Sequence, residues 1–231
     1  MKRLRSTARR IKRFIRGGPD SFLPTIRGVI HVGANSGPGR EIYEDYRLPV
    51  VWVEPIPEVF AKLCSNLRTF PRQRPFNYLV TDRDDAEYPF HISNNDGASS
   101  SILDLKDHRE IWPEVNYTRT ITMRSITLPS LLQRERIDPA HFDALVMDTQ
   151  GSELLVLQGA DAILHHFRFI KIEVPDFESY AGCCQISDID TFLGQRGFRE
   201  KARSRFASHP RAGSYYDILY AQDRPSAGSA R

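Results

Sequence analysis

Two kinds of residue in this chain could do chemistry: a small-residue turn that admits a ligand, and acids placed at the ends of apolar runs. Val29-Ile30-His31-Val32-Gly33-Ala34-Asn35-Ser36-Gly37 is a short apolar run that breaks into small residues. Twenty-one residues past Gly33, the run Val50 to Val53 ends in Glu54, followed by Pro55. Glycines lower the steric cost of bringing main-chain N–H groups against a ligand. An acid at the end of the next strand can accept both hydroxyls of a ribose. Gly33, Ala34, Asn35, Gly37, Glu54 and Pro55 therefore read as a nucleoside-binding half-site. The spacing argues against a dinucleotide. G-x-G-x-x-G would need glycine where this chain has Asn35 and Pro38, and Gly37 and Gly39 do not restore it. An adenosyl amino acid, which has no phosphate, fits better.

More acids follow the same rule. In an open parallel sheet the ligand crevice lies outside the carboxyl ends of the strands. Glu54, Asp82, Asp148 and Glu173 fall at or near four such ends. Asp82, in Thr81-Asp82-Arg83-Asp84-Asp85, reads as a partner for an adenine amino group or as a solvated turn. Asp148 closes Ala144-Leu145-Val146-Met147 and reads as an active-site acid, with a helix cap as the bland alternative. Glu153 stands in the first turn of the following helix, where the macrodipole favours any acid. A carboxylate inside Ile170-Lys171-Ile172-Glu173-Val174 is costly unless partnered, so Glu173 reads as functional. His31, Met147, Trp52, Phe60 and Phe90 read as packing.

Elements must position these residues. Buried strands are predicted at 29–32, 50–53, 76–80, 143–147, 169–174 and 215–221, with helices near 39–46, 57–68, 152–165 and 186–196. The third helix is apolar nearly all round and should be the most buried. Strand–helix alternation predicts an α/β fold with a parallel sheet covered on both faces. Residues 86–126 interrupt it as an inserted hairpin region, Tyr88 to Ser93 and Thr118 to Thr127, around the polar loop 94–101. An insertion of that sort shapes a substrate site, and Asp96, Ser99 and Ser100 are its candidate substrate ligands.

The 231 residues suit one α/β domain. The net charge of +3 conceals an asymmetry: residues 1–18 carry eight Lys/Arg and no acid, leaving 24 bases against 29 acids elsewhere. The division expected is a basic arm over 1–24, a domain over 25–221 and a polar tail over 222–231. Leu4, Ala8, Ile11 and Ile15 share one helical face of the arm, a pattern suited to an anionic membrane surface as well as to a solvated tail. Three cysteines, Cys64 and the adjacent Cys183-Cys184, make no disulfide framework. Without a long apolar span or signal segment, a soluble cytoplasmic protein, peripheral at a membrane if the arm binds one, is the expectation.

Several motifs together resemble the FkbM family of S-adenosylmethionine-dependent methyltransferases. They are His31-Val-Gly-Ala-Asn-Ser-Gly, Val53-Glu54-Pro55, Asn95-Asp-Gly-Ala-Ser-Ser-Ser101, Met147-Asp148-Thr-Gln-Gly-Ser-Glu153-Leu-Leu-Val-Leu-Gln-Gly159-Ala, Ile172-Glu173-Val174 and Asp190-Thr-Phe-Leu-Gly-Gln-Arg-Gly197-Phe. The resemblance spans roughly residues 28–200. It implies the class I methyltransferase fold, Rossmann-like and doubly wound, with a mostly parallel seven-stranded sheet whose last strand is antiparallel. It also implies O-methylation of a sugar, glycan or polyketide hydroxyl. By that similarity Gly33, Asn35, Gly37 and Glu54 hold S-adenosyl-L-methionine and Asp148 faces the reacting hydroxyl, as general base or as ligand to a divalent cation. Glu173 and Glu153 are then substrate or metal partners. The family usually has an acid where this chain has His31, a departure that predicts weaker donor affinity. Two other functions compete. A nucleic-acid methyltransferase would want an Asn/Asp-Pro-Pro-aromatic strand end, where this chain has Asp148-Thr149-Gln150-Gly151. A degenerate methyltransferase fold serving as a binding module is the other.

Overall fold

The apolar runs form strands where periodicity places them. In the computed structural model, which describes residues 17–223, the strands are β1 (Val29–Val32), β2 (Val50–Val53), β3 (Gln73–Phe76), β4 (Leu79–Val80), β5 (Glu87–Ser93), β6 (Tyr117–Ile126), β7 (Ala144–Met147), β8 (Phe169–Pro175), β9 (Phe198–His209) and β10 (Gly213–Gln222). The helices are α1 (Arg40–Asp45), α2 (Pro57–Asn66), α3 (His108–Ile111), α4 (Leu128–Arg134), α5 (Glu153–Gly159) and α6 (Ile186–Gly194).

Seven strands make one sheet in the order β3-β2-β1-β7-β8-β10-β9. Only β10, the last in the chain, runs against the others. Strand order reverses between β1 and β7, and that switch point is where an open sheet leaves a crevice. Side chains alternate between two buried faces, so the central strands are apolar on both. Ile30, Val32, Val51, Val53, Leu145 and Met147 pack with α4, α5 and α6. Val29, Val50, Trp52, Ala144 and Val146 pack with α1, α2 and the segment Phe22 to Ile26.

Several boundaries differ from the predicted ones. The third strand, expected over 76–80, is two. Asn77 leaves the ladder to donate its side-chain amide to the carbonyls of Glu54 and Pro55, at 2.8 and 2.9 Å. β3 therefore ends at Phe76 beside β2, and β4 pairs with β6 in a separate three-stranded sheet with β5. That sheet contains the inserted hairpin, with β5 and β6 antiparallel as expected. The helix expected over 152–165 stops at Gly159, where a Cβ would stand 2.1 Å from the Thr81 carbonyl oxygen; a 3-10 turn, Asp161–His166, continues it. Leu154 and Leu155 are half-buried, so α5 is less enclosed than its composition suggested. α4, which the apolar pattern did not single out, carries Pro129 in its first turn and has Thr127 as cap, the Ser130 N–H donating to Thr127 Oγ1 at 3.4 Å. β9 was missed because its sequence is mostly polar; it is an exposed edge strand.

At the ends, Phe22 and Leu23 are buried and Asp20 pairs with Lys171 at 2.8 Å, so the folded unit begins inside the stretch assigned to the arm. Gln222 is still part of β10. Residues 1–16, including the amphipathic face, and 224–231 lie outside the described residues. No helix among the described residues is long and apolar enough to cross a membrane.

Candidate active site

Gly33 follows β1 at φ +81°, and its main chain lies directly against the next strand: a Cβ there would stand 1.8 Å from the Asp148 carbonyl oxygen. Only glycine permits that approach. Asn35 turns the chain at φ +45°. Its N–H donates to Glu54 Oε2 at 2.8 Å, while the Ile56 N–H donates to Oε1 at 2.9 Å. The Glu54 carboxylate is thus held flat by one main-chain donor on each oxygen. It is only 4% exposed, and burial raises its pKa to about 7. Ala34 is buried, its N–H donating to the Val53 carbonyl. Gly37, at φ +75°, closes the turn against Leu63.

Three cavities meet at Asp148. The first, ≈ 230 Å³, runs from Gly33, Asn35 and Pro38 past Glu54, Pro55 and Ile56 to an apolar wall of Tyr78, Leu79, Val80 and Phe90. Gly97, Ala98 and Ser100 of the insertion roof it. The second, ≈ 300 Å³, shares Gly33, Asn35, Pro38 and Asp148 with the first and descends among Asp20, His31, Tyr43, Lys171, Glu173 and Asp217. The third, ≈ 260 Å³, joins Asp148, Gln150 and Glu173 to Asn95, Ala98, Ser99, His108, Trp112 and Phe206.

The electrostatics are dominated by buried acids. Asp148 is raised to about 7, first by burial and then by Glu153 and Asp217, against a hydrogen bond from Gln150 and the charge of Lys171. Glu173 is pushed well above the carboxylate range by burial and by Asp148, Asp217 and Glu153. Lys171 keeps its charge through Asp217 and Asp20 despite burial. His31, read as a core histidine, is half-buried and lines the second cavity: it stacks on Trp52 with centroids 4.7 Å apart, meets the Tyr43 hydroxyl at 3.2 Å and is held neutral by burial, its pKa down to about 3. Burial also lowers His108 to about 4; its Nδ1 lies 2.7 Å from the Tyr215 hydroxyl and its Nε2 3.1 Å from Ser99 Oγ.

Not every predicted ligand reaches one of these three cavities. Asp82 follows β4 and not a strand of the main sheet, so it misses the common rim; Arg83 and the Tyr88 hydroxyl occupy its carboxylate. Asp96 points outward to Lys62 at 3.1 Å, with 85% of its side chain exposed. Glu153 turns inward: its carboxylate accepts from the Thr149 N–H at 2.8 Å and the Gly151 N–H at 3.1 Å, and the Cys184 thiol donates to it at 3.4 Å. It braces the turn that carries Asp148 and lines none of the three cavities. Phe90, read as packing, is a cavity wall. The sequence reading missed Gln150, Lys171, Asp217, His108, Trp112 and Phe206. Of these, Lys171 and Asp217 carried a legible signal, a charge within an otherwise apolar strand. Among the described residues no group of three or more His, Cys, Asp or Glu side chains is arranged to hold a metal ion.

This geometry has relatives. Streptococcus pneumoniae Sp1610, a candidate tRNA (m1A22) methyltransferase solved with S-adenosyl-L-methionine, superposes with a TM-score of 0.51 at 12% identity, covering 94% of this chain and 75% of its own. An uncharacterized protein from Listeria monocytogenes serotype 4b gives 0.51 at 8% identity, covering 92% and 70%. No curated protein matches. The sheet order with its single antiparallel strand is that of the class I S-adenosylmethionine-dependent methyltransferases. A family model described as the methyltransferase FkbM domain matches residues 31–200, and the chain belongs to that family.

Proposed function

We propose that the protein is an S-adenosylmethionine-dependent O-methyltransferase acting on a hydroxyl of a sugar, glycan or related polyol. The convergence of three cavities on Asp148 carries this reading. Glu54 in the first cavity offers a fixed carboxylate to a ribose diol, and the wall of Tyr78, Leu79, Val80 and Phe90 suits a flat base. The second cavity holds charges of both signs, Lys171 with Asp20 and Asp217, as an amino-acid zwitterion requires. The third combines the faces of Trp112 and Phe206 with Asn95, Gln150 and Glu173. Phe206 is the only large hydrophobic residue exposed among the described ones, at 47%. Aromatic faces flanked by a few polar groups match a ring that is apolar on its C–H face and rimmed with hydroxyls.

The bound donor supplies an electrophilic methyl group, so the side chains mainly align an oxygen with it. Alignment contributes on the order of 7–11 kcal/mol, and a general base a further factor of roughly 10²–10⁴. Asp148 takes the hydroxyl proton as that oxygen bonds to carbon. A pKa near 7 suits a group that must accept a proton at neutral pH and later release it. Glu173, its pKa raised well above the carboxylate range first by burial and then by Asp148 and Asp217, hydrogen-bonds the acceptor from the third cavity.

Label transfer from methyl-labelled S-adenosylmethionine to a panel of free and nucleotide-linked sugars tests the reading. Asp148→Ala should remove most turnover, at least 10²-fold, while donor affinity by calorimetry stays within a few-fold. Wild-type turnover in that variant rules out the assignment. Donor binding without transfer to any polyol favours a binding module instead.

A further inference from the structure

Gln150 stands where three segments meet, and the reading above uses it only as one polar group of the third cavity. Its φ of +55° places a non-glycine residue in the left-handed region, a conformation that persists only where surroundings enforce it. Its carbonyl oxygen accepts from Ser101 Oγ at 2.8 Å, which ties it to the insertion. Its side-chain Oε1 accepts from the Tyr180 hydroxyl at 2.6 Å, which ties it to the segment after β8. Its Nε2 donates to Asp148 Oδ1.

While Asp148 is ionised, as a base must be before it accepts a proton, the direction of this chain is fixed. Tyr180 is fully buried, and burial with nearby negative charge keeps its phenol protonated. With the amide reversed, Gln150 would set its oxygen against the Asp148 carboxylate. The Tyr180 proton would then be left the longer 3.4 Å contact to the Ser99 carbonyl. Acceptor facing acceptor in a buried site leaves polar groups unsatisfied, and that is costly. The hydrogen bonds therefore run from Tyr180 to Gln150 to Asp148.

We propose that Gln150, locked by Tyr180, is a positioning residue that holds one carboxylate oxygen of Asp148 and leaves the other to accept the proton of the hydroxyl being methylated. This deepens the reading of Asp148 as the base and rests on it. The groups facing Asp148 are Glu54 after β2, Glu153 of α5, Lys171 and Glu173 of β8, and Asp217 of β10. Burial, Glu153 and Asp217 disfavour its ionised form. Lys171 acts at a distance, and Gln150 is the side chain that donates a hydrogen bond to it.

The test uses the full chain without donor or acceptor. Carbon-13 NMR of side-chain-labelled aspartate follows each carboxyl through a pH titration, and the Asp148 signal is identified by its loss in Asp148→Asn. Gln150→Leu should raise the Asp148 midpoint by about one pH unit, since a hydrogen bond to the charged form is lost. Tyr180→Phe should raise it by less, because the amide keeps its place but loses its lock. Thermal melts establish that each variant is folded, and Tyr180→Phe carries the test if Gln150→Leu is not. An unchanged midpoint in the folded variants overturns the proposal. Because no methyl transfer is measured, this outcome is separate from whether a sugar is the acceptor. Once an acceptor is in hand, kcat should fall in both variants while KM for the donor holds; a fall confined to donor affinity would also overturn it.

Discussion

Glu54 shows how one residue's surroundings set both its stability cost and its use. Both of its oxygens are held by main-chain N–H groups, and its pKa is lifted from 4.5 to about 7. The folded chain keeps a proton there that the unfolded chain has released between those values. Stability from this group is therefore present below pH 4.5 and is lost as pH rises through 7. A glutamine at this position does not titrate. The difference in stability between Glu54→Gln and the wild type should swing toward the variant by on the order of 2–3 kcal/mol from pH 4.5 to 8. Urea midpoints of the two proteins across that range measure it, and a flat difference would contradict the burial argument. Glu54 was legible as a ligand because strand-end position and spacing locate it. Asp82 and Glu153 were equally acidic and equally well spaced, yet their environments differ. Whether an acid faces a cavity, an arginine or its own turn depends on contacts among residues far apart in sequence, such as Cys184 with Glu153. No pattern along the chain encodes them. Gln150 illustrates the converse: an uncharged residue acquires a role only from Tyr180, thirty positions away.

The elements were more legible than the side chains they carry. β1, β2 and β7 follow from short apolar runs, and burial on both faces explains why such runs show no alternation. Where the reading failed, a local event displaced the pattern: the Asn77 amide ended β3, and solvent on an edge strand left β9 without an apolar signature. Among the described glycines, the one with least room for a side chain is at the carboxyl ends of β1 and β7, where Gly33 meets the Asp148 carbonyl. Gly33→Ala must both strain a positive φ and separate those strands. A loss on the order of 3–5 kcal/mol is expected, read from denaturant unfolding. A variant within 1 kcal/mol (roughly the effect of an average substitution) would show that the approach is not needed. His31 sits two residues earlier and lines the second cavity, its neutral ring packed against Trp52 and Tyr43.

At the scale of the whole molecule, the two-faced core positions the rim, and the insertion covers it. A donor that spans the first two cavities touches β1, β2, β7 and β8 together, so its binding should stabilise the fold as a unit. At about a hundred times its dissociation constant, S-adenosylmethionine should add about 2.7 kcal/mol, or a rise in Tm of about 5–10 °C for a chain of this size. Thermal melts with and without the donor measure this. No shift at millimolar donor would remove the basis for placing it there. One segment, the loop from Asn95 to Ser100, forms the ceiling of two chambers at once: Gly97, Ala98 and Ser100 over the first, Asn95, Ala98 and Ser99 over the third. Such a shared ceiling cannot lift above one guest and stay shut above the other. Any displacement of that loop would therefore unseal both chambers together, so a substitution that loosens it should alter occupancy of the two in concert.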